Sequence, residues 1–158
     1  STIFPLLAIS FAAIMSSLLP DSVPLLSTAD NSVTALPSGI PTLLLFSSSW
    51  CPDCKPFMAA LSVMYEDLNE DEKQFEVVYV SSDRTEEECA DYVKKMPGWL
   101  YVPFSQVEHC TFLKMTLKSC AGSEQGPLGI TERKFGIPNL VVLKGNDVVV
   151  KECANADV

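Results

Sequence analysis

Apolar and polar positions along the chain fall into short continuous apolar runs and longer segments with helical spacing. Leu43-Leu44-Leu45-Phe46, with Pro41 and Thr42 ahead of it, and Phe75-Glu76-Val77-Val78-Tyr79-Val80 are runs of the first kind. Their aliphatic, β-branched and aromatic content predicts buried strands. Between them, Phe57, Leu61, Met64, Tyr65 and Leu68 share one helical face, which predicts a helix from Pro52 to Leu68 with a single core-facing stripe. At that spacing Met58 and Met64 are core residues rather than a soft-metal feature. Thr85-Glu86-Glu87-Glu88 is a capping-box signature opening a helix that runs to about Met96, where Pro97-Gly98 stops it. Val107, Cys110, Leu113 and Leu117 predict another helix within Gln106 to Cys120. Trp99 to Phe104 is expected to be an apolar loop packed near the functional centre.

Two hairpins complete the pattern. Val23 to Leu26 and Val33 to Leu36 flank an Asp/Asn/Ser cluster, and Asn139 to Leu143 and Asp147 to Lys151 flank Lys144-Gly145-Asn146. The apolar, uncharged stretch from Ile3 to Leu19 has two readings. Phe11, Ile14, Met15 and Leu18 fit one face of a helix belonging to the domain; the rival is the apolar region of a secretory signal. No Lys or Arg precedes it and Pro5 interrupts it, so the helix is preferred. The division is then an N-terminal segment over 1–19 and one domain over 20–158. Strand–helix–strand implies a parallel βαβ unit, and the last hairpin adds antiparallel strands. The expected class is α/β, a central mixed sheet flanked by helices, with an N-terminal helix and hairpin extension.

Composition narrows the function classes. With 158 residues, 47% apolar and 20% charged, the chain is ordinary globular material of single-domain length. Eleven basic residues against 20 acidic ones give a net charge of -9, and no basic cluster offers a phosphate footprint. Neither a nucleic-acid nor a membrane partner is expected.

The candidate chemistry lies in Trp50-Cys51-Pro52-Asp53-Cys54, between the first apolar run, Ser47 to Ser49, and the first helical stripe. Strand, turn and helix around a Cys-x-x-Cys place the first thiol at a helix N-terminus, where unpaired N–H groups and the dipole favour a thiolate. The second thiol lies about a turn later, within reach of a mixed disulfide formed on the first. Pro52 suits the first helical position. Zinc would need a second ligand pair, and Cys89, Cys110, Cys120, Cys153 and His109 offer none with the right spacing; His109, Cys110 and Cys120 are the weak best. No metal and no cofactor are implied. An inert pair is disfavoured because Asp53 and Lys55 make the turn wet. The other four cysteines are expected to be reduced and buried, with a Cys110–Cys120 bridge left open, and His109 is expected to be a solvent or core histidine.

Four segments carry a family resemblance. Phe46-Ser47-Ser48-Ser49-Trp50-Cys51-Pro52-Asp53-Cys54 resembles the FSASWCPPC signature of tryparedoxins and nucleoredoxins. Phe75 to Asp83 is similar to their strand leading into a Ser-x-Asp turn, Met96 to Phe104 to their MPWLAVPF, and Ile137 to Leu143 to their IPTLVVL. The resemblance covers about residues 20 to 150 and implies a thioredoxin-like fold and a thiol–disulfide oxidoreductase. It implies Cys51 as nucleophile, Cys54 as resolving thiol, Trp50 covering the dithiol, Pro138 as a cis proline and the Ile137 backbone pairing with an extended substrate. Disulfide-containing protein substrates and an upstream thiol reductant are the implied partners, in the cytoplasm, or in the secretory pathway if 3–19 is a signal.

Departures from the family pattern also matter. Asp53 replaces a proline, as in thioredoxin-related proteins with a WCPDC turn and a narrow choice of substrate. Asn139 stands where Thr usually follows the cis proline, and Leu45 where many thioredoxins bury an Asp that relays a proton to the second cysteine. About 109–136 is longer than usual, which implies a groove-lining insertion, and the final helix of the fold looks missing. The alternative function is a redox-sensing interaction module of nucleoredoxin-like type, with little turnover.

Overall fold

The computed structural model describes residues 17–145 and 147–150. Six strands form one sheet: β1 (Leu26–Ser27), β2 (Thr42–Ser47), β3 (Glu76–Ser81), β4 (Leu100–Tyr101), β5 (Asn139–Lys144) and β6 (Asp147–Val150). Among the described residues three α-helices accompany them, α1 (Cys54–Leu68), α2 (Glu86–Val93) and α3 (Val107–Leu117). The spatial order is β1-β4-β3-β2-β5-β6. β2, β3 and β4 run parallel, in the register Thr42 opposite Glu76 through Ser47 opposite Ser81. β5 pairs antiparallel with β2, β6 with β5, and β1 with β4. The sheet is mixed and flanked by helices, as expected.

Because side chains alternate across a strand, each central strand feeds two cores. Leu43 and Leu45 of β2, Val77 and Tyr79 of β3 and Leu140 of β5 pack with Leu61 and Tyr65 of α1 and Cys89, Tyr92 and Val93 of α2. Leu44, Phe46, Val78, Val80, Val141 and Leu143 face the other way, onto Leu113 of α3 and onto Leu18 and Leu25. This double burial is why β2 and β3 are continuous apolar runs.

Several expectations are corrected. α1 begins at Cys54, not Pro52; Pro52 and Asp53 form the turn before it. Of its stripe, Leu61 and Tyr65 are buried, but Met64 and Leu68 are exposed: Met64 lies to one side of the line through Leu61 and Tyr65, and Leu68 is the last residue of the helix. Val107, the first residue of α3, is exposed, and Lys114 is the unexpected buried member of that helix. Leu100 and Tyr101 form β4 rather than a loop. Trp99 is buried against Tyr65, ring centroids 6.1 Å apart, near the end of α1 away from the dithiol; only Phe104 comes up beside Ser81 and Asp83. The first hairpin is present but short: one antiparallel bridge, Leu26 with Val33, with Ser27 N–H donating to the Ser32 carbonyl and Thr34 N–H to the Leu25 carbonyl. Its first strand also pairs with β4.

The closing hairpin is present, with Gly145 at φ 62° in its turn, a conformation that suits glycine. Expectations about most of the 3–19 helix, about Lys151 and Cys153, and about a terminal helix fall outside the described residues. Among the described residues, no helix is long and apolar enough to cross a membrane.

Candidate functional site

β2 delivers the site. Its last residue, Ser47, leads through Ser48, Ser49 and Trp50 to Cys51, and Cys54 opens α1. Pro52 and Asp53 are exposed on the turn; Cys51 is 5% exposed and Cys54 is fully buried behind it. Asp53 stands at the N-cap with helical dihedrals (φ -71°, ψ -23°) and makes no side-chain cap bond. Pro56 falls in the first turn, where a missing N–H leaves no intrahelical bond unmade. Across the cleft, the Ile137–Pro138 peptide bond is cis. The Cys51 thiol donates to the Ile137 carbonyl in a long contact, Sγ to O 3.9 Å. Cys51, Cys54, Ile137 and Pro138, far apart in the chain, therefore meet at one edge of the sheet.

Trp50 is held from below. Its Nε1–H donates to the Ser82 carbonyl at 2.9 Å, and the Arg84 guanidinium carbon lies 4.8 Å from its ring centroid. The anchor of this region is Asp83, a residue singled out in the sequence only as part of a family segment. Asp83 Oδ1 accepts from the Ser49 backbone N–H and hydroxyl, both at 2.7 Å. Its Oδ2 accepts from the Tyr79 hydroxyl at 2.6 Å and the Ser81 hydroxyl at 2.7 Å. The Tyr79 hydroxyl oxygen also lies 3.1 Å from the Ser47 carbonyl, so its single proton is shared between that oxygen and the nearer carboxylate. One buried carboxylate thus ties the end of β3 to the turn that presents the dithiol, with every bond charge-assisted. The sequence signal for it is a Ser-x-Asp immediately after a buried strand.

Burial dominates the titration of the inner groups. It pushes the Cys54 thiol up to about 12, with the neighbouring Cys51 thiol adding to the rise and the Ser47 hydroxyl and Ser48 backbone opposing it. Tyr92, whose hydroxyl is 3.3 Å from Ser47 Oγ, is likewise pushed up to about 12 by burial. Cys89 on α2 is raised to about 12 for the same reason, and burial also raises Cys110 and Cys120. Cys51, Cys54, Cys89, Cys110 and Cys120 are all free thiols, so Cys110 and Cys120 are not bridged. Burial lowers the His109 pKa, and its ring packs on Phe112. Neither His109 with Cys110 and Cys120 nor any other trio of such side chains gathers into a metal-binding group among the described residues.

The long connection after α3 folds back on itself. Lys134 and Phe135 N–H donate to the Lys118 carbonyl, and Cys120 N–H to the Phe135 carbonyl. A 3-10 turn, Gly122–Glu124, then docks behind Trp50: Glu124 accepts from the Ser82 hydroxyl and from Lys114 Nζ, both at 2.5 Å. Lys114 also donates to the Ser81 carbonyl at 2.8 Å. This clamp had no sequence signal beyond a lysine on an apolar helix.

Residues 39–149 match a family model described as thioredoxin-like. The chain belongs to that family. A tryparedoxin from Trypanosoma brucei brucei is 39% identical over 92 residues, covering 58% of this chain and 62% of the relative. A probable nucleoredoxin 1 from Arabidopsis thaliana is 36% identical over 109 residues, 66% of this chain and 18% of the relative. The chain therefore spans less than two thirds of these relatives' lengths. A solved tryparedoxin II complexed with glutathionylspermidine superposes with a TM-score of 0.62 at 28% identity, covering 83% of this chain and 81% of that one. The tryparedoxin and nucleoredoxin resemblance and the thioredoxin-like fold both stand, and these relatives are thiol–disulfide oxidoreductases.

Proposed function

We propose that the chain is a thiol–disulfide oxidoreductase that reduces disulfides of proteins or small molecules through Cys51 and Cys54. The observation that carries this reading is the position of Cys51 Sγ, facing the Ile137 carbonyl beside cis Pro138, with Cys54 buried behind it. Cys51, as thiolate, attacks one sulfur of the substrate disulfide. That S–S bond breaks, Cys51 becomes linked to one half, and the other half leaves as a thiolate that takes a proton from water. Cys54, losing its proton, attacks the Cys51 sulfur and releases the second half as a thiol. The protein keeps the Cys51–Cys54 disulfide, and two electrons have passed to the substrate.

A thiol raised to about 12 needs a route for that proton. Leu45 is apolar and fully buried, so it supplies none. The Ser47 hydroxyl, hydrogen-bonded to Cys54 and 3.3 Å from the Tyr92 hydroxyl, is the polar path on that side. Trp50 and the Ile137 backbone line the approach, and Pro52 and Asp53 form its exposed rim. A second thiol, from a protein or a small dithiol, restores the reduced state, and the cytoplasm is the setting in which such a reductant is plentiful.

A redox-sensing module remains the second reading, favoured by the clamp that joins the loop around Glu124 to Ser82 beneath Trp50. Oxidation of the dithiol would then be felt by that loop. Turnover separates the two. With dithiothreitol as electron donor, the protein accelerates reduction of insulin disulfides, and Cys51→Ser abolishes the acceleration. No acceleration by the unsubstituted protein overturns the enzymatic reading and leaves the module.

A further inference from the structure

Beside the dithiol stands a cation that is stacked on an aromatic ring and has no acidic partner among the described residues. Arg84 is exposed, and its guanidinium carbon is 4.8 Å from the Trp50 ring centroid, a cation–π stack. Its guanidinium makes no ion pair or hydrogen bond among the described residues, in a chain with 20 acidic residues against 11 basic ones. Yet its position is fixed. Its backbone N–H donates to Glu88 Oε2 at 2.9 Å, and Asp83 before it is locked by the bonds described above. The ring beneath it is pinned through Nε1 to Ser82.

A guanidinium laid over an aromatic face keeps its planar row of N–H donors for a bidentate carboxylate. Trp50 directly precedes Cys51, so this donor row is stacked on the residue next to the cysteine proposed to take up substrate. We propose that Arg84 is a substrate-recognition residue, receiving a carboxylate on the half of the disulfide that becomes linked to Cys51; the inference rests on the disulfide-exchange reading. The preferred substrates are carboxylate-bearing disulfides, in small molecules or in acidic peptide segments. The surrounding charge sharpens the choice. Asp53 on the turn and Glu86 and Glu87 at the start of α2 are exposed carboxylates that repel an acidic arm, which leaves Lys55 in the first turn of α1 and Arg84 over the Trp50 ring as the exposed cations beside the dithiol.

The test uses reduced protein and three small disulfides: oxidised glutathione, which carries carboxylates, neutral hydroxyethyl disulfide, and cationic cystamine. Second-order rate constants for oxidation of the dithiol are compared for the unsubstituted protein, Arg84→Gln and Arg84→Lys. The preference for oxidised glutathione over hydroxyethyl disulfide falls about three- to five-fold in Arg84→Gln, the loss expected for one exposed ion pair. Arg84→Lys recovers part of it, and the preference for cystamine rises in Arg84→Gln. Ratios unchanged in Arg84→Gln, with all three rates equal to or lowered in parallel with those of the unsubstituted protein, overturn the inference and leave Arg84 as a prop for Trp50. An unsubstituted protein inert toward all three overturns the disulfide-exchange reading itself, and the inference with it.

Discussion

Asp83 shows how much one side chain decides at this site. Its carboxylate accepts four hydrogen bonds from groups on two separate segments, so removing the charge and half the acceptors leaves buried donors unmet. Asp83→Asn is expected to lower stability by about 2 kcal/mol in urea denaturation and to loosen Trp50, read as a shift in tryptophan fluorescence. The buried thiols make a second prediction. Cys54 and Cys89 rise from 9.0 to about 12 and Tyr92 from 10.0 to about 12 in the fold, through burial. Above pH 9 the unfolded chain loses the two thiol protons, and above pH 10 the tyrosine proton, while the native state keeps all three. Stability of the reduced protein is therefore fully present below pH 9 and falls as pH rises toward 12, at up to about 1.4 kcal/mol per pH unit for each group. Urea midpoints between pH 7 and 10.5 check the sign, and Cys89→Ala, which removes one of the groups, makes the decline shallower.

Among the elements, α2 starts where its sequence says it should. Thr85 Oγ1 accepts from Glu88 N–H at 3.1 Å, but Glu88 reaches back to Arg84 N–H rather than to Thr85, so the capping box is displaced by one residue. Thr85→Ala is expected to cost about 1 kcal/mol in thermal or urea unfolding, the usual loss for such a cap. α3 depends on its buried ammonium. Lys114→Met removes the ion-pair partner of Glu124 and the donor to Ser81, leaving a half-buried carboxylate without its counter-charge, and is expected to cost about 3 kcal/mol by urea unfolding.

What could be read from the sequence follows from the same physics. β2, β3, α1 and the closing hairpin were legible because burial on two faces or one writes itself into apolar runs and periodicity. The site's Cys-x-x-Cys was legible because its chemistry needs adjacent residues. β4 was not, since two residues make no pattern, and for the same reason the pairing of β1 with β4 on its other edge was not foreseen beside its expected hairpin partner around Val33. The Asp83 network and the Lys114–Glu124 clamp are long-range polar contacts, which leave no local signature.

The whole molecule places its reactive edge through the sheet. Parallel β2 and β3 both end at that edge, so Ser47–Cys51 and Ser81–Arg84 emerge side by side, while antiparallel β5 starts there and sets Ile137–Pro138 opposite. The rigidity of the arrangement comes from the two cores that sandwich β2. Leu45, fully buried behind the dithiol, anchors one of them, and Leu45→Ala is expected to cost about 3 kcal/mol by the same denaturation, as a core leucine truncation does.

The central claim is that Cys51 attacks and Cys54 resolves. Trapping the intermediate tests it most directly: Cys54→Ser and Cys51→Ser variants are each mixed with a disulfide substrate, and the adduct is located by mass spectrometry. The account predicts a stable mixed disulfide on Cys51 in Cys54→Ser and none on Cys54 in Cys51→Ser, where that thiol is buried. An adduct on Cys54, or on Cys89, Cys110 or Cys120 in place of Cys51, would contradict it.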